Sequence, residues 1–191
     1  MGKKQEERAR LLNIRKNILP EQREEASRQI CRHLLASEVL EAGAFVYGYF
    51  PLREEVDIRM VLEDLLGRGC HVALPKVCGT QMYFVEVTDL DRDLKEGSFH
   101  VMEPVSDQVV HWPEALVLVP GVGFDRQGAR MGYGKGYYDR YFFAHPCRML
   151  IGIAYEEQVA EQICAEPHDL RMDAICTQNG MYSVTRSKES V

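Results

Sequence analysis

Nowhere in this chain does an apolar run approach the roughly 20 residues that span a bilayer, and the charged opening MGKKQEERARLL lacks the apolar core of a secretory signal. A soluble, cytoplasmic protein that engages no membrane is the expectation. Positive charge is scarce as well: 23 Lys and Arg stand against 29 Asp and Glu, a net charge of −6 that argues against a broad nucleic-acid surface. Any anion site must be local. No C-x-x-C pair and no flanking histidine accompany Cys31, Cys70, Cys78, Cys147, Cys164 and Cys176, so neither zinc ligation nor a disulfide framework is indicated. Buried free thiols in a reducing compartment are expected. Repeats, linkers and low-complexity segments are missing too, and 191 residues suit one domain, residues 1–191.

Glycine, by contrast, is concentrated between Val119 and Tyr141, in VPGVGFDRQGARMGYGKGYYDRY. There an apolar strand pattern gives way to Gly121, Gly123, Gly128, Gly132, Gly134 and Gly136, interleaved with Arg130, Lys135, Tyr137 and Asp139. Glycine lets a backbone approach a ligand closely, and the cations supply counter-charge for phosphate. The familiar templates fail on this loop. A Walker A sequence needs four residues between its first glycine and Gly-Lys, then Ser or Thr, but five separate Gly128 from Gly134, and Gly136 follows Lys135. The dinucleotide pattern fails also, because the third residue after Gly134 is Tyr137.

Residues 3 to 17 have helix-forming composition and place Lys4 and Arg8 four apart on one helical face, able to grip one anion or simply to face solvent. Pro20 suits the first turn of a second helix running through Ile30, Leu34 and Leu35. Ala44 to Phe50 reads as a buried strand, Ile58 to Leu66 as a helix and Val72 to Leu74 as a strand, which together make a βαβ unit and a parallel pair. Met82 to Val87 reads as an edge strand and LDRDLKEGSFHVMEP as irregular connection. Ala115 to Val119 is a further strand feeding the glycine-rich stretch, and YYDRYFFA is a helix whose N-terminal amides favour an anion. Leu150 to Ala154, Ala174 to Cys176 and Met181 to Val184 supply strands, with a helix at about 156 to 165. The expected architecture is α/β: three layers, helices on both faces of a mostly parallel open sheet, with ligands in the crevice beyond the strand ends.

Within that frame the loop cations have natural roles toward a nucleotide. Arg130 can clamp two oxygens through its fork and Lys135 can act as a mobile point charge, while Asp139 can hold a metal directly or through water. A second carboxylate would come from PHDLRMD, either Asp169 or Asp173. His168 in the same segment reads as a hydrogen-bonding residue rather than a catalyst. Glu55, in the connection after the first strand, can accept hydrogen bonds from an amide or amino group, with Phe50 and Tyr47 as an aromatic wall. The bland alternative makes Glu55 a surface charge beside Glu54 and the aspartates solvated turn residues. No Ser, His and Asp grouping stands out for acyl transfer.

PGVGFDRQGARMGYGKGYYDRY closely resembles the signature of the 5-formyltetrahydrofolate cyclo-ligase family, also called methenyltetrahydrofolate synthetase. Lys4 and Arg8, the strand with Phe50, the Pro51 to Asp57 segment and HDLRMD extend the resemblance over nearly the whole chain. It implies an open α/β fold similar to sugar-phosphate isomerases and coenzyme A transferases. The activity implied is ATP- and Mg²⁺-dependent closure of 5-formyltetrahydrofolate to the 5,10-methenyl compound, with ADP and phosphate released. By position, Lys4, Arg8, Arg130, Met131, Gly132, Tyr133, Gly134, Lys135, Gly136, Tyr137 and Tyr138 would contact ATP, with Lys135 and Arg130 at the transferring phosphate. Phe50, Glu55 and the Tyr133 to Tyr137 stretch (Tyr133, Gly134, Lys135, Gly136, Tyr137) would face the folate, and Asp139 and Asp169 would hold the metal. Ile58 departs from the pattern, standing where many members have threonine. The partners implied are small molecules, reduced folate and ATP, taken by a monomer. Two rivals share the fold or the residues: a sugar-phosphate isomerase needing only a general base, and a non-catalytic nucleotide or folate sensor.

Overall fold

A computed structural model describes residues 2–97, 101–166 and 169–184, so His168 lies outside the described residues. In chain order the elements are α1 (Lys3–Asn17), α2 (Pro20–Leu35), β1 (Phe45–Tyr47), α3 (Arg59–Gly67), β2 (His71–Cys78) and β3 (Gln81–Val87). Then come β4 (Leu94–Glu96), β5 (Met102–Pro104), β6 (Leu116–Pro120), β7 (Gly123–Asp125), β8 (Arg130–Met131) and α4 (Tyr137–Ala144). The chain closes with β9 (Met149–Ile153), β10 (Val159–Ala160), β11 (Ala174–Thr177) and β12 (Gly180–Ser183).

The main sheet runs β12-β11-β9-β6-β1-β2-β3. Its five central strands are parallel, in register Val46 to Val72, Val46 to Leu116, Leu118 to Ile151 and Ile175 to Gly152, while β3 and β12 pair antiparallel at the two edges. Parallel strands must be covered on both faces, and the alternation of side chains along β6 shows how. Leu116 and Leu118 face one way, into a core with Ile30, Leu34, Val61 and Leu65 from α2 and α3. Val117 and Val119 face the other, packed with Tyr141 and Phe142 of α4 and with Phe84. The three layers follow from that, and the mostly parallel α/β expectation holds.

The order of the strands sets the position of the site. From β1 the chain crosses through α3 to β2 on one side, while β6, β9 and β11 step away on the other. Between β1 and β6, which run parallel, the order in which strands are added reverses, and such a switch point opens a crevice beyond the strand ends. α1 borders it on one side, with Arg8 Nε on the Gly132 carbonyl. Its Leu11 packs against Val122, Ala129, Met131 and Ile163, on a small sheet ordered β10-β7-β8.

Three local expectations need correction. The helix expected at about 156 to 165 is a single 3₁₀ turn, Glu156–Gln158, followed by β10. The buried Gln158 amide donates to the Val122 carbonyl at 2.6 Å, and Asp125 Oδ2 accepts from the Ile163 amide at 2.8 Å, so the segment is drawn onto β7 as strand. The connection expected to be irregular, residues 90 to 104, contains the antiparallel pair β4 and β5. The glycine-rich stretch, expected as a loop between the strand ending at Val119 and the helix YYDRYFFA, contains β7 and β8. Its turn is tied down because Asp125 Oδ1 accepts the Gln127 and Ala129 amides, each at 2.9 Å. All six thiols are unpaired, with Cys31, Cys70 and Cys176 buried and Cys78 and Cys164 exposed. None of the described helices is long and apolar enough to cross a membrane.

Candidate active site

The crevice is lined from the β1 side by the turn after Phe50. Arg53 takes a left-handed φ of 51°, unusual for a residue with a side chain. That turn lets the Glu55 amide donate to the Leu52 carbonyl at 3.0 Å while Glu55 Oε2 accepts the Leu52 amide at 2.9 Å. The carboxylate, only 8% exposed, is thereby aimed inward, where its Oε1 accepts the Tyr133 hydroxyl at 2.9 Å. Burial pushes the Glu55 pKa up, and the Leu52 amide, Arg15, the Tyr133 hydroxyl and Arg130 oppose that shift. Phe50 is half-buried on the same side, with the Arg59 guanidinium 5.9 Å from its ring centroid.

From the β6 side come the cations. Arg130 is buried, its Nε donating to the Pro120 carbonyl at 3.0 Å and its guanidinium lying 5.1 Å from the Tyr138 ring centroid. Burial lowers its pKa, and Asp139, with Oδ1 3.8 Å from Arg130 Nη1, is the main group acting against that. Asp139 Oδ1 also accepts the Leu170 amide at 2.9 Å, which draws the segment carrying Asp169 to the start of α4. Lys4 closes the cluster from α1, donating to Asp169 Oδ2 and Glu166 Oε2, both at 2.7 Å. Partial burial works against the Lys4 charge, yet its hydrogen bonds with Asp169 and Glu166 outweigh that and raise its pKa. Arg8 Nε donates to the Gly132 carbonyl at 2.8 Å.

Of the expected site residues, Lys4, Arg8, Arg130, Gly132, Asp139 and Asp169 therefore meet in one charged cluster, and Glu55 and Tyr133 meet beside it. Lys135 is exposed, with no side-chain partner among the described residues. Gly134 and Gly136 flank it at φ of 91° and 63°, conformations that favour glycine. The Tyr137 hydroxyl donates to the Gly79 carbonyl at 3.1 Å, fixing the first turn of α4 against the β2–β3 connection. The Met131 side chain points away, buried with Leu11 and Val122, so only its backbone is available to a ligand. Among the described residues no three His, Cys, Asp or Glu side chains gather as a metal cage.

Three residues with evident parts in this site were not anticipated. Arg15 is buried against the Tyr133 hydroxyl, Arg140 links the Lys135 and Thr80 carbonyls at 2.8 and 2.9 Å, and Glu166 shares Lys4 with Asp169. A signal for Arg15 was present: Lys4, Arg8, Leu11 and Arg15 recur at the spacing of one helical stripe. For Arg140 and Glu166 the sequence carried none, since Arg140 acts on backbone carbonyls, one of them 60 residues away, and Glu166 on a side chain 162 residues away.

Comparison with known proteins bears on the chain as a whole. The model of the 5-formyltetrahydrofolate cyclo-ligase family matches residues 1–178. The 5-formyltetrahydrofolate cyclo-ligase of Saccharomyces cerevisiae is 44% identical over 154 residues, covering 66% of this chain and 71% of its own. That of Mus musculus is 25% identical over 194 residues, covering 92% and 94%. Among solved structures, the 5,10-methenyltetrahydrofolate synthetase of Aquifex aeolicus superposes with a TM-score of 0.84 at 31% identity, covering 98% of this chain and 95% of the other. A match that spans both sides of the crevice, together with a shared fold, leaves one conclusion: the chain belongs to the 5-formyltetrahydrofolate cyclo-ligase family.

Proposed function

We propose that this protein closes 5-formyltetrahydrofolate to 5,10-methenyltetrahydrofolate at the expense of ATP, in the presence of Mg²⁺, releasing ADP and phosphate. The observation that carries the reading is the meeting, at one strand switch point, of a buried acceptor side built on Glu55 and a cation-rich side built on Arg130, Lys4, Arg8 and Lys135. A formamide oxygen is a poor leaving group, so ring closure needs that oxygen activated. Transfer of the γ-phosphoryl group does so: the formyl oxygen bonds to phosphorus as the bond to ADP breaks, giving an iminophosphate. The second folate nitrogen then bonds to the formyl carbon, gives up its proton, and phosphate departs.

In that scheme the protein positions two reactants and stabilises charge, without a covalent enzyme intermediate. Arg130, held by the Pro120 carbonyl and the Tyr138 ring, offers a preoriented fork for phosphate oxygens. Lys135, exposed between two glycines, offers a point charge to the phosphoryl group as it moves. Glu55 accepts N–H groups of the folate. Asp139 and Asp169 fit magnesium brought with a nucleotide, since that ion takes one or two carboxylates and completes its shell with phosphate and water, and the Leu170 amide on Asp139 Oδ1 draws the two carboxylates' segments together. Bound there, the ion would neutralise the phosphate oxygens. Absorbance at the methenyl chromophore, followed in 5-formyltetrahydrofolate with and without ATP, tests the proposal. Growth only with ATP is expected, and its absence from folded, folate-binding protein would remove the reading.

A further inference from the structure

Three buried charges stand around the crevice, Arg15, Glu55 and Arg130, and the proposed reaction uses only the last two. Arg15 is 3% exposed. Packing does not require a guanidinium there, because desolvating a charge is costly and an apolar side chain fills such a place at less cost. Its donors are nevertheless directed. Nη2 donates to the Tyr133 hydroxyl at 2.6 Å and Nη1 to the Gly121 carbonyl, at the end of β6, at 3.3 Å. Its guanidinium carbon lies 5.5 Å from the Tyr133 ring centroid.

Guanidinium has donors and no acceptor, and a phenol has one proton to give. The Tyr133 oxygen must therefore accept from Arg15, which leaves its proton for Glu55 Oε1, 2.9 Å away. Glu55 Oε2 is held by the Leu52 amide. Both oxygens are oriented, and each keeps acceptor capacity for a further donor. We infer that Arg15 is a positioning residue which, acting through the Tyr133 hydroxyl, fixes Glu55 as a hydrogen-bond acceptor for the N–H groups of the reduced folate. This rests on the proposed function and adds a residue of α1 to the folate side, although Lys4 and Arg8 of the same helix serve the phosphate side.

The test is equilibrium binding of 5-formyltetrahydrofolate and, separately, of a non-hydrolysable ATP analogue to the wild type, Arg15→Met, Tyr133→Phe and the double variant, each checked for folding by circular dichroism. Arg15→Lys serves as the conservative variant and remains informative should Arg15→Met fail to fold. Each single substitution is expected to weaken folate binding about tenfold, the scale of one hydrogen bond to a charged group. The double variant should be no weaker than either single one, Arg15→Lys should recover part of the loss, and the affinity of Arg15→Met for the ATP analogue should change less than about twofold. Additive losses, or equal losses for folate and nucleotide, would overturn the inference and make Arg15 a general support of α1. Wild-type protein that binds no folate would instead overturn the proposed function on which it rests.

Discussion

Residues 119–131 and residues 132–139 carry three glycines each, and the surroundings of the two sets differ. In the first, a Cβ at Gly121 would lie 2.5 Å from the Phe124 ring, one at Gly123 2.7 Å from Leu11, and one at Gly128 2.6 Å from the Met172 carbonyl oxygen. These glycines let α1 and the neighbouring backbone pack onto β7 and its turn. In the second, the nearest atoms to Gly132, Gly134 and Gly136 are the guanidinium ends of Arg130, Arg8 and Arg140. Here glycine keeps the backbone open beside cations, where a phosphate chain would lie. One composition thus serves two ends, scaffold and site, and what separates them is whether the atom facing the glycine is fixed core or a charged tip.

Substitutions on either side of Met131 sharpen or break that division. Lys135→Ala should slow single-turnover phosphoryl transfer roughly 100-fold, while the melting temperature stays within about 1 °C because the side chain is exposed. Wild-type turnover would take Lys135 out of the reaction. Asp139→Asn preserves an acceptor for the Leu170 amide but removes a charge. A magnesium requirement raised about tenfold, with folate affinity unchanged, is the expected result, and an unchanged titration would deny the metal role. Gly128→Ala, at a φ of 83° against a backbone carbonyl, should lower the melting temperature by roughly 5 °C while kcat of the folded protein holds. If it instead spared stability and cost activity, the scaffold assignment of the first half would be wrong.

The smallest effect concerns Glu55. Its folded-state pKa lies above the ordinary 4.5 because of burial, so on raising the pH the unfolded chain loses this proton first. Stability is therefore fully present below about 4.5 and declines as pH rises through the folded-state value. Glu55→Gln removes this term. The melting-temperature difference, variant minus wild type, should rise by about 1–2 °C between pH 4 and pH 7. A flat difference would mean that burial does not load this carboxylate.

The central elements were legible in the sequence because their signals were local. β6 is a continuous apolar run since both its faces are covered, and Pro20 and the spacing of Ile58 to Leu66 mark helices that formed. Glu55 could be named from its position after a strand and Asp139 from a helix start, whereas Asp169 was separated from Asp173 only by the family resemblance, since the helix expected before it is a 3₁₀ turn. What remained hidden depends on distant partners. The segment after Tyr155 has helix-compatible composition, but Gln158 and Ile163 are captured by Val122 and Asp125, more than 30 residues earlier. Likewise nothing adjacent to Lys4 announces that Asp169 and Glu166 hold its ammonium.

The account's central claim, that one crevice joins a phosphate donor to a folate formyl oxygen, is tested most directly by stoichiometry. Purified protein with Mg²⁺, ATP and limiting 5-formyltetrahydrofolate should form ADP and methenyl product in a one-to-one ratio, and ADP formation should stop when the folate is consumed. ADP released without folate, or methenyl product formed without ADP, would contradict it.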